Sequence, residues 1–294
     1  VDLIQAVVFG VIQGLTEWLP ISSTAHIRVA PALLGWPDPG AAFTATIQLG
    51  TLLAVLIYFG KDLLAAFLGW CRGLRGGEAA RTHEARLGWA IFLGTLPIVV
   101  CGIAFERQIT GPWRSLNVIA AMLIVMGVVL WIAELTGKRK LGMADVKPVH
   151  GLWVGLWQAI ALVPGASRSG VSMSGALFAG FDRTTAARFA FLLSVPSVLA
   201  AGVKEAYDER HAILGQHLAT VAVATAVSFV VGYASIAWLL RYLQTRSNLI
   251  FIVYRIALGV ALIVLVQMGV LQATEPQAAP PGPAEVHQRT DVPA

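Results

Sequence analysis

Apolar positions along the chain gather on two length scales. Six long runs, at about 41–60, 85–104, 115–135, 185–203, 217–240 and 248–271, are each close to the length that crosses a bilayer as one helix. Four shorter stretches come in pairs, 3–18 with 22–35 and 149–162 with 168–180. Each pair is interrupted by Pro20 or by Pro164-Gly165. Proline lacks an amide donor and clashes with the preceding turn, so it ends an ongoing helix. Ser22, Ser23 and Ser167 follow the breaks where N-caps belong. The pattern predicts an all-α polytopic membrane protein with six transmembrane helices and two re-entrant helix hairpins.

The hairpins read as one device built twice. Gly10, Gln13, Pro20 and Ser23 in the first correspond to Gly155, Gln158, Pro164 and Ser167 in the second. The correspondence extends onward: Lys61 lies 41 residues after Pro20, and Lys204 lies 40 after Pro164. Each copy is a hairpin plus three spans, about 1–135 and 149–272, joined into one membrane domain over 1–272. In the first copy, 61–86 is expected as a hydrophilic loop. An odd number of crossings inverts the second copy relative to the first, as in inverted-topology repeats. The Pro- and Ala-rich tail at 273–294 cannot build a core and is expected to be disordered.

Composition excludes a soluble domain. The chain is 57% hydrophobic and 13% charged, against about 25% charged in soluble proteins. The net charge of +5 shows no basic stripe with interleaved aromatics, so no nucleic-acid partner is expected. Most Lys and Arg fall in 61–86, 136–148, 181–188 and 241–247, which the positive-inside rule places in the cytoplasm, with both termini outside. The first hairpin then enters from outside, the second from inside, and their tips meet within the membrane. Asp2 stands where a cleavable signal would carry basic residues, so none is expected. Cys71 and Cys101 have no metal or redox spacing and read as packing residues. Trp18, Trp36, Trp70, Trp89, Trp113 and Trp153 lie near span ends and read mostly as an interfacial belt.

The breaks concentrate chemistry inside apolar sequence. Glu17 lies four residues after Gln13, on the same helix face. Ser22, Ser23 and His26 follow Pro20, and Gly165, Ser167, Arg168 and Ser169 follow Pro164. Ionisable groups at membrane depth belong in protein-enclosed polar cavities. Two helix N-termini supply free amides and positive dipole ends. Arg168 adds a planar fork suited to phosphate. The set fits an anion, phosphate best. The plain alternative is an Arg168–Glu17 ion pair without further role. Arg255 is read as a holder of backbone carbonyls outside the catalytic set, Gln13 and Gln158 as bridges between hairpins, and Glu134, next to a loop, as solvated.

The stretch Gln13-Gly-Leu-Thr-Glu17-Trp-Leu-Pro20-Ile-Ser22-Ser23-Thr-Ala25-His26 resembles the first signature of the bacitracin-resistance type undecaprenyl-pyrophosphate phosphatases, and Pro164-Gly165-Ala-Ser167-Arg168-Ser169-Gly170 resembles their second. With Ile47–Gly50 and Phe191–Pro196, the resemblance covers about 1–272. It implies a multi-pass enzyme of the bacterial inner membrane that removes the terminal phosphate of undecaprenyl pyrophosphate on the periplasmic face. The product carries cell-wall precursors, and abundant enzyme confers bacitracin resistance. The family glutamate pair maps to Gln13 and Glu17, its serine to Ser23, its histidine to His26 and its arginine to Arg168. A divalent cation, Mg²⁺ or Ca²⁺, is implied, with Glu17 as its carboxylate. Ser22, Ser167, Ser169, Gly165 and Gln13 are expected to bind substrate. Two positions depart from the pattern. Gln13 stands where many members carry Glu, and Ala25 where Gly is usual, so the turn there is either helical or shifted. Membrane lipids are expected partners, and a homodimer is allowed. The nucleophile is left open among Ser23, His26 and water. The rival reading is a polyprenyl-phosphate transporter, which would use the same anion clamp without a nucleophile.

Overall fold

The computed structural model describes residues 1–37, 39–208 and 218–273. Among these it contains α1 (Leu3–Trp18), α2 (Ser23–Leu34), α3 (Gly40–Tyr58), α4 (Gly60–Gly73), α5 (His83–Ala104), α6 (Glu106–Thr110), α7 (Leu116–Thr136), α8 (Pro148–Ala159), α9 (Arg168–Phe178), α10 (Arg183–Asp208), α11 (Leu218–Thr245) and α12 (Leu249–Gln267). The only strand-like pairing among the described residues is an isolated bridge between Leu141 and Phe181. Helices α5, α7, α10, α11 and α12 are long and apolar enough to cross a membrane, and α3 with α4 forms a further pair bent by 72°. The chain is an all-α polytopic membrane protein. The predicted tail, from 274 onward, and the stretch 209–217 lie outside the described residues.

The stretch 61–86 is not the hydrophilic loop its charges suggest. Helix α4 turns off α3 at Phe59 and packs Ala66, Gly69 and Gly73 against α5. A Cβ on Gly69 would come within 2.5 Å of the Glu84 side chain, so the two helices touch backbone to backbone. Leu64, Phe67 and Leu68 stay exposed on the other side. Charges flank an apolar face here, which makes an amphipathic helix over Gly60–Gly73 rather than a loop. Cys71 on this helix is exposed instead of packed.

The two halves pack in a swapped, reciprocal way. Helix α1 of the first lies along α11, and α8 of the second lies along α5. Small residues make both approaches possible. A Cβ at Gly10 would sit 2.6 Å from the Ala224 carbonyl oxygen, and one at Gly155 would sit 2.2 Å from that of Gly94. Helices in lipid associate through close packing rather than hydrophobic expulsion, so glycine at the contact sets how near they come. Gly10 and Gly155 are equivalent positions, each three residues before a glutamine.

The hairpin tips also match. Ser22 (φ 74°) and Ser167 (φ 69°) occupy the left-handed region, which disfavours residues with a Cβ. The same strained dihedral thus recurs where each chain enters its second half-helix. Ala25 is helical and buried within α2, so the unusual backbone falls three residues earlier, at Ser22. Trp18 is buried against Phe191, ring centroids 5.1 Å apart, and is not part of an interfacial belt.

Glu134 is buried, contrary to the solvated reading. Arg183 Nε donates to both of its oxygens at 3.1 and 2.9 Å, and the Asn248 backbone and side-chain amides donate to Oε1 at 2.9 and 2.6 Å. The residue ends α7, and proximity to a loop in sequence does not reveal that α10 and α12 begin beside it. A buried carboxylate is stable only when paired and hydrogen-bonded in this way.

Candidate active site

Both tips close on one guanidinium. Arg255, in α12, is fully buried. Its Nη1 donates to the Pro20 carbonyl at 3.3 Å, its Nη2 to those of Gly165 and Ala166 at 3.2 and 2.8 Å, and its Nε to that of Leu123 at 3.0 Å. Proline-broken backbone leaves carbonyls without helical partners, and in lipid these must find a donor within the protein. One arginine answers that need for both hairpins. Ser169 Oγ adds a second tie by donating to the Leu19 carbonyl at 2.9 Å.

The tips so joined bring Glu17, at the end of α1, against Arg168, at the start of α9. Arg168 Nη2 lies 2.7 Å from Glu17 Oε1. The other carboxylate oxygen, Oε2, accepts from Ser23 Oγ at 2.8 Å and Gln13 Nε2 at 3.1 Å. The carboxylate is almost fully buried, while the Arg168 side chain keeps 22% of its surface. Among the described residues, one of the three guanidinium nitrogens of Arg168 is committed, which leaves donors for an incoming anion. The first amides of α9 have no intrahelical partner and lie beside it.

His26 occupies a separate branch of the site. Its Nδ1 lies 2.7 Å from the Ser22 carbonyl oxygen, and its Nε2 lies 2.6 Å from the Tyr254 hydroxyl. A carbonyl only accepts, so Nδ1 carries the proton. In the neutral ring Nε2 then accepts from Tyr254, whose ring stacks on the imidazole at 5.6 Å. Both ring nitrogens are occupied without Ser23. The carboxylate of Glu17 is therefore the group in position to take the Ser23 proton.

The remaining expected residues divide by what they touch. Ser167 caps α9, accepting from the Gly170 amide at 3.3 Å, and also contacts Ser169 Oγ at 3.2 Å. Ser22 makes no side-chain capping bond and serves through its carbonyl. Gly165, at φ 92°, presses on α7 so closely that a Cβ would meet the Ile119 oxygen at 2.4 Å. Its carbonyl is taken by Arg255, so it shapes the arch. The glutamines do not bridge the hairpins. Gln13 bonds within its own helix, and Gln158 is buried with neither amide atom partnered among the described residues. Tyr254 escaped the sequence reading. The signal for it was faint: with Arg255 it forms a polar pair inside an apolar span.

A cation here would meet oxygen donors only. Glu17 is the one carboxylate at the tips, the Gln13 amide nitrogen donates to it, and no cluster of three His, Cys, Asp or Glu side chains suited to a metal occurs among the described residues. Such a set fits a hard cation that takes most ligands from water and substrate phosphates, and does not form a closed protein cage.

Comparison with known proteins shows the family. The family described as bacitracin resistance protein BacA matches residues 6–261. An undecaprenyl-diphosphatase of Chlorobium phaeobacteroides is 50% identical over 280 residues, covering 92% of this chain and 99% of the relative. Those of Myxococcus xanthus and Thermobifida fusca are 48% and 46% identical, each over 92% of this chain and 91% and 92% of the relative. Joined hairpin tips, an intramembrane Arg–Glu pair and matches along nearly the whole length lead to one assignment: the chain belongs to the bacitracin resistance protein BacA family.

Proposed function

We propose that the chain is an undecaprenyl-diphosphatase, hydrolysing undecaprenyl pyrophosphate to undecaprenyl phosphate and phosphate. The observation that carries the chemistry is the Ser23–Glu17–Arg168 constellation, with the hydroxyl 2.8 Å and the guanidinium 2.7 Å from one carboxylate. A transporter needs the arginine but not a hydroxyl set against a base.

Phosphoryl transfer is chiefly positioning and charge stabilisation. Arg168 binds the pyrophosphate through the donors that Glu17 leaves free, aided by the first amides of α9. Ser23 Oγ attacks the terminal phosphorus and passes its proton to Glu17, a hydroxyl–base arrangement typical of covalent catalysis. The bond to the bridging oxygen breaks, and undecaprenyl phosphate departs with that oxygen and with the proton that Glu17 hands on, which restores the carboxylate. Water, deprotonated by Glu17, then attacks the phosphoserine, phosphate is freed, and the seryl oxygen leaves with the proton from Glu17. A Mg²⁺ or Ca²⁺ held by Glu17 would supply further neutralisation of the phosphate oxygens.

The protein sits in the bacterial inner membrane with the site open to the periplasm, a reading supported by the basic residues gathered in 61–86, 136–148, 181–188 and 241–247. Its product is the lipid carrier for cell-wall precursors, and its abundance confers resistance to bacitracin.

Phosphate release from undecaprenyl pyrophosphate by purified protein, with and without a chelator, is the direct test. Turnover that falls with chelator and returns with Mg²⁺ or Ca²⁺ is expected. Absence of phosphate release under both conditions would defeat the reading. Rapid acid quench should trap phosphate on Ser23, and trapping on His26 instead would reassign the nucleophile.

A further inference from the structure

A second polar cavity lies away from the catalytic tips, where α3 bends into α4 beside the start of α10 and the end of α11. Its volume is about 630 Å³, and its lining includes Tyr58, Asp62, Arg188, Tyr233, Arg241 and Gln244. None of these belongs to the site around Glu17. We propose that this cavity binds the phosphate headgroup of an anionic phospholipid.

Four observations carry the proposal. The cavity holds two guanidinium groups against one carboxylate. Arg188 Nη2 bonds Asp62 at 2.6 Å, while Arg241 has no ion pair among the described residues. Arg188 Nε is buried with no hydrogen-bond partner, a donor in want of an acceptor. The chain bends by 72° between α3 and α4, and α4 exposes Leu64, Phe67 and Leu68. A helix with such an apolar face beside a bend suits the membrane interface, and on that reading the cavity lies at headgroup depth. The walls are mixed: Tyr58 and Tyr233 face it together with Ala237 and Leu240. Tyrosine favours the membrane interface, and basic pockets between transmembrane helices hold anionic headgroups. A free phosphate ion would gain nothing from the apolar part of the lining, which suits glycerol and the first acyl carbons.

Native mass spectrometry of the purified full chain, loaded with phosphatidylglycerol or with phosphatidylcholine, tests this. Phosphatidylglycerol should be retained preferentially. Arg241→Gln should weaken that retention roughly five- to tenfold, and Arg241→Lys should keep most of it. Arg188→Gln gives a second reading of the same cavity. Equal retention of both lipids, or an unchanged Arg241→Gln, would overturn the proposal. Displacement of phosphatidylglycerol by millimolar inorganic phosphate would also overturn it, in favour of a free-anion site. Phosphate release by Arg241→Gln should match the parent, so this proposal and the phosphatase reading fail independently.

Discussion

Glu17 and Glu134 are both 7% exposed, and each is paired with an arginine from the other half of the chain. Their partners differ in kind. Glu134 is held by Arg183 Nε on both oxygens and by the backbone and side-chain amides of Asn248, with Arg139 Nη1 3.9 Å away, and Arg183 and Asn248 stand where α10 and α12 begin. Glu17 is held by side chains alone: one nitrogen of Arg168, the Ser23 hydroxyl and the Gln13 amide. The first arrangement locks three helix ends. The second can release its donors without moving the backbone, Arg168 to a phosphate oxygen and Ser23 by passing its proton to the carboxylate. Burial and charge therefore do not separate the two pairs; the difference is a backbone donor at Glu134 and side-chain donors alone at Glu17.

The sharpest way to break the comparison is to remove each member. Glu134→Ala should destabilise the folded protein by about 3–5 kcal/mol, because it leaves Arg183 and the Asn248 amides uncompensated. Thermal unfolding in detergent reads this, and turnover per folded molecule should stay near the parent. Arg168→Ala should do the opposite. Hydrolysis should fall by roughly 10²- to 10³-fold, the loss typical of a transition-state donor, with the melting temperature little changed. A melting loss in Arg168→Ala equal to that of Glu134→Ala would erase the distinction.

Smaller substitutions sharpen it. Arg168→Lys keeps the charge but loses the fork, and kcat should remain at least about tenfold low. Near-parental turnover would mean that a point charge suffices. Tyr254→Phe removes the hydroxyl on His26 Nε2 while leaving the stacked ring. A lost hydrogen bond predicts a stability loss of about 1 kcal/mol, and because the proposed steps run through Ser23, Glu17 and Arg168, kcat/KM should stay near the parent. A shifted pH–rate profile in this variant would bring His26 into the reaction.

Much of the fold was legible along the chain. Long apolar runs, Pro20, Pro164 and the repeated Gly–Gln–Pro–Ser order predict spans and hairpins that match the helices other than α4 and the short α6 within a few residues. Helix α4 was missed because its charges look like a loop when counted and like an amphipathic face only when placed on a helix. Glu134 was misread because the sequence places it by its neighbours, while its partners Arg183 and Asn248 lie 49 and 114 residues away.

The site divides along the same line. Local order alone determined that Glu17, Ser23 and His26 lie around one break and Arg168 just after the other, because proline, serine and helical periodicity act over a few residues. Only the tertiary structure decided that Arg255 holds both tips, that Ser23 faces Glu17 and that His26 faces Tyr254. Those contacts join residues up to 235 positions apart. They depend on how closely glycine-lined helices approach in lipid, and no spacing in the sequence encodes that.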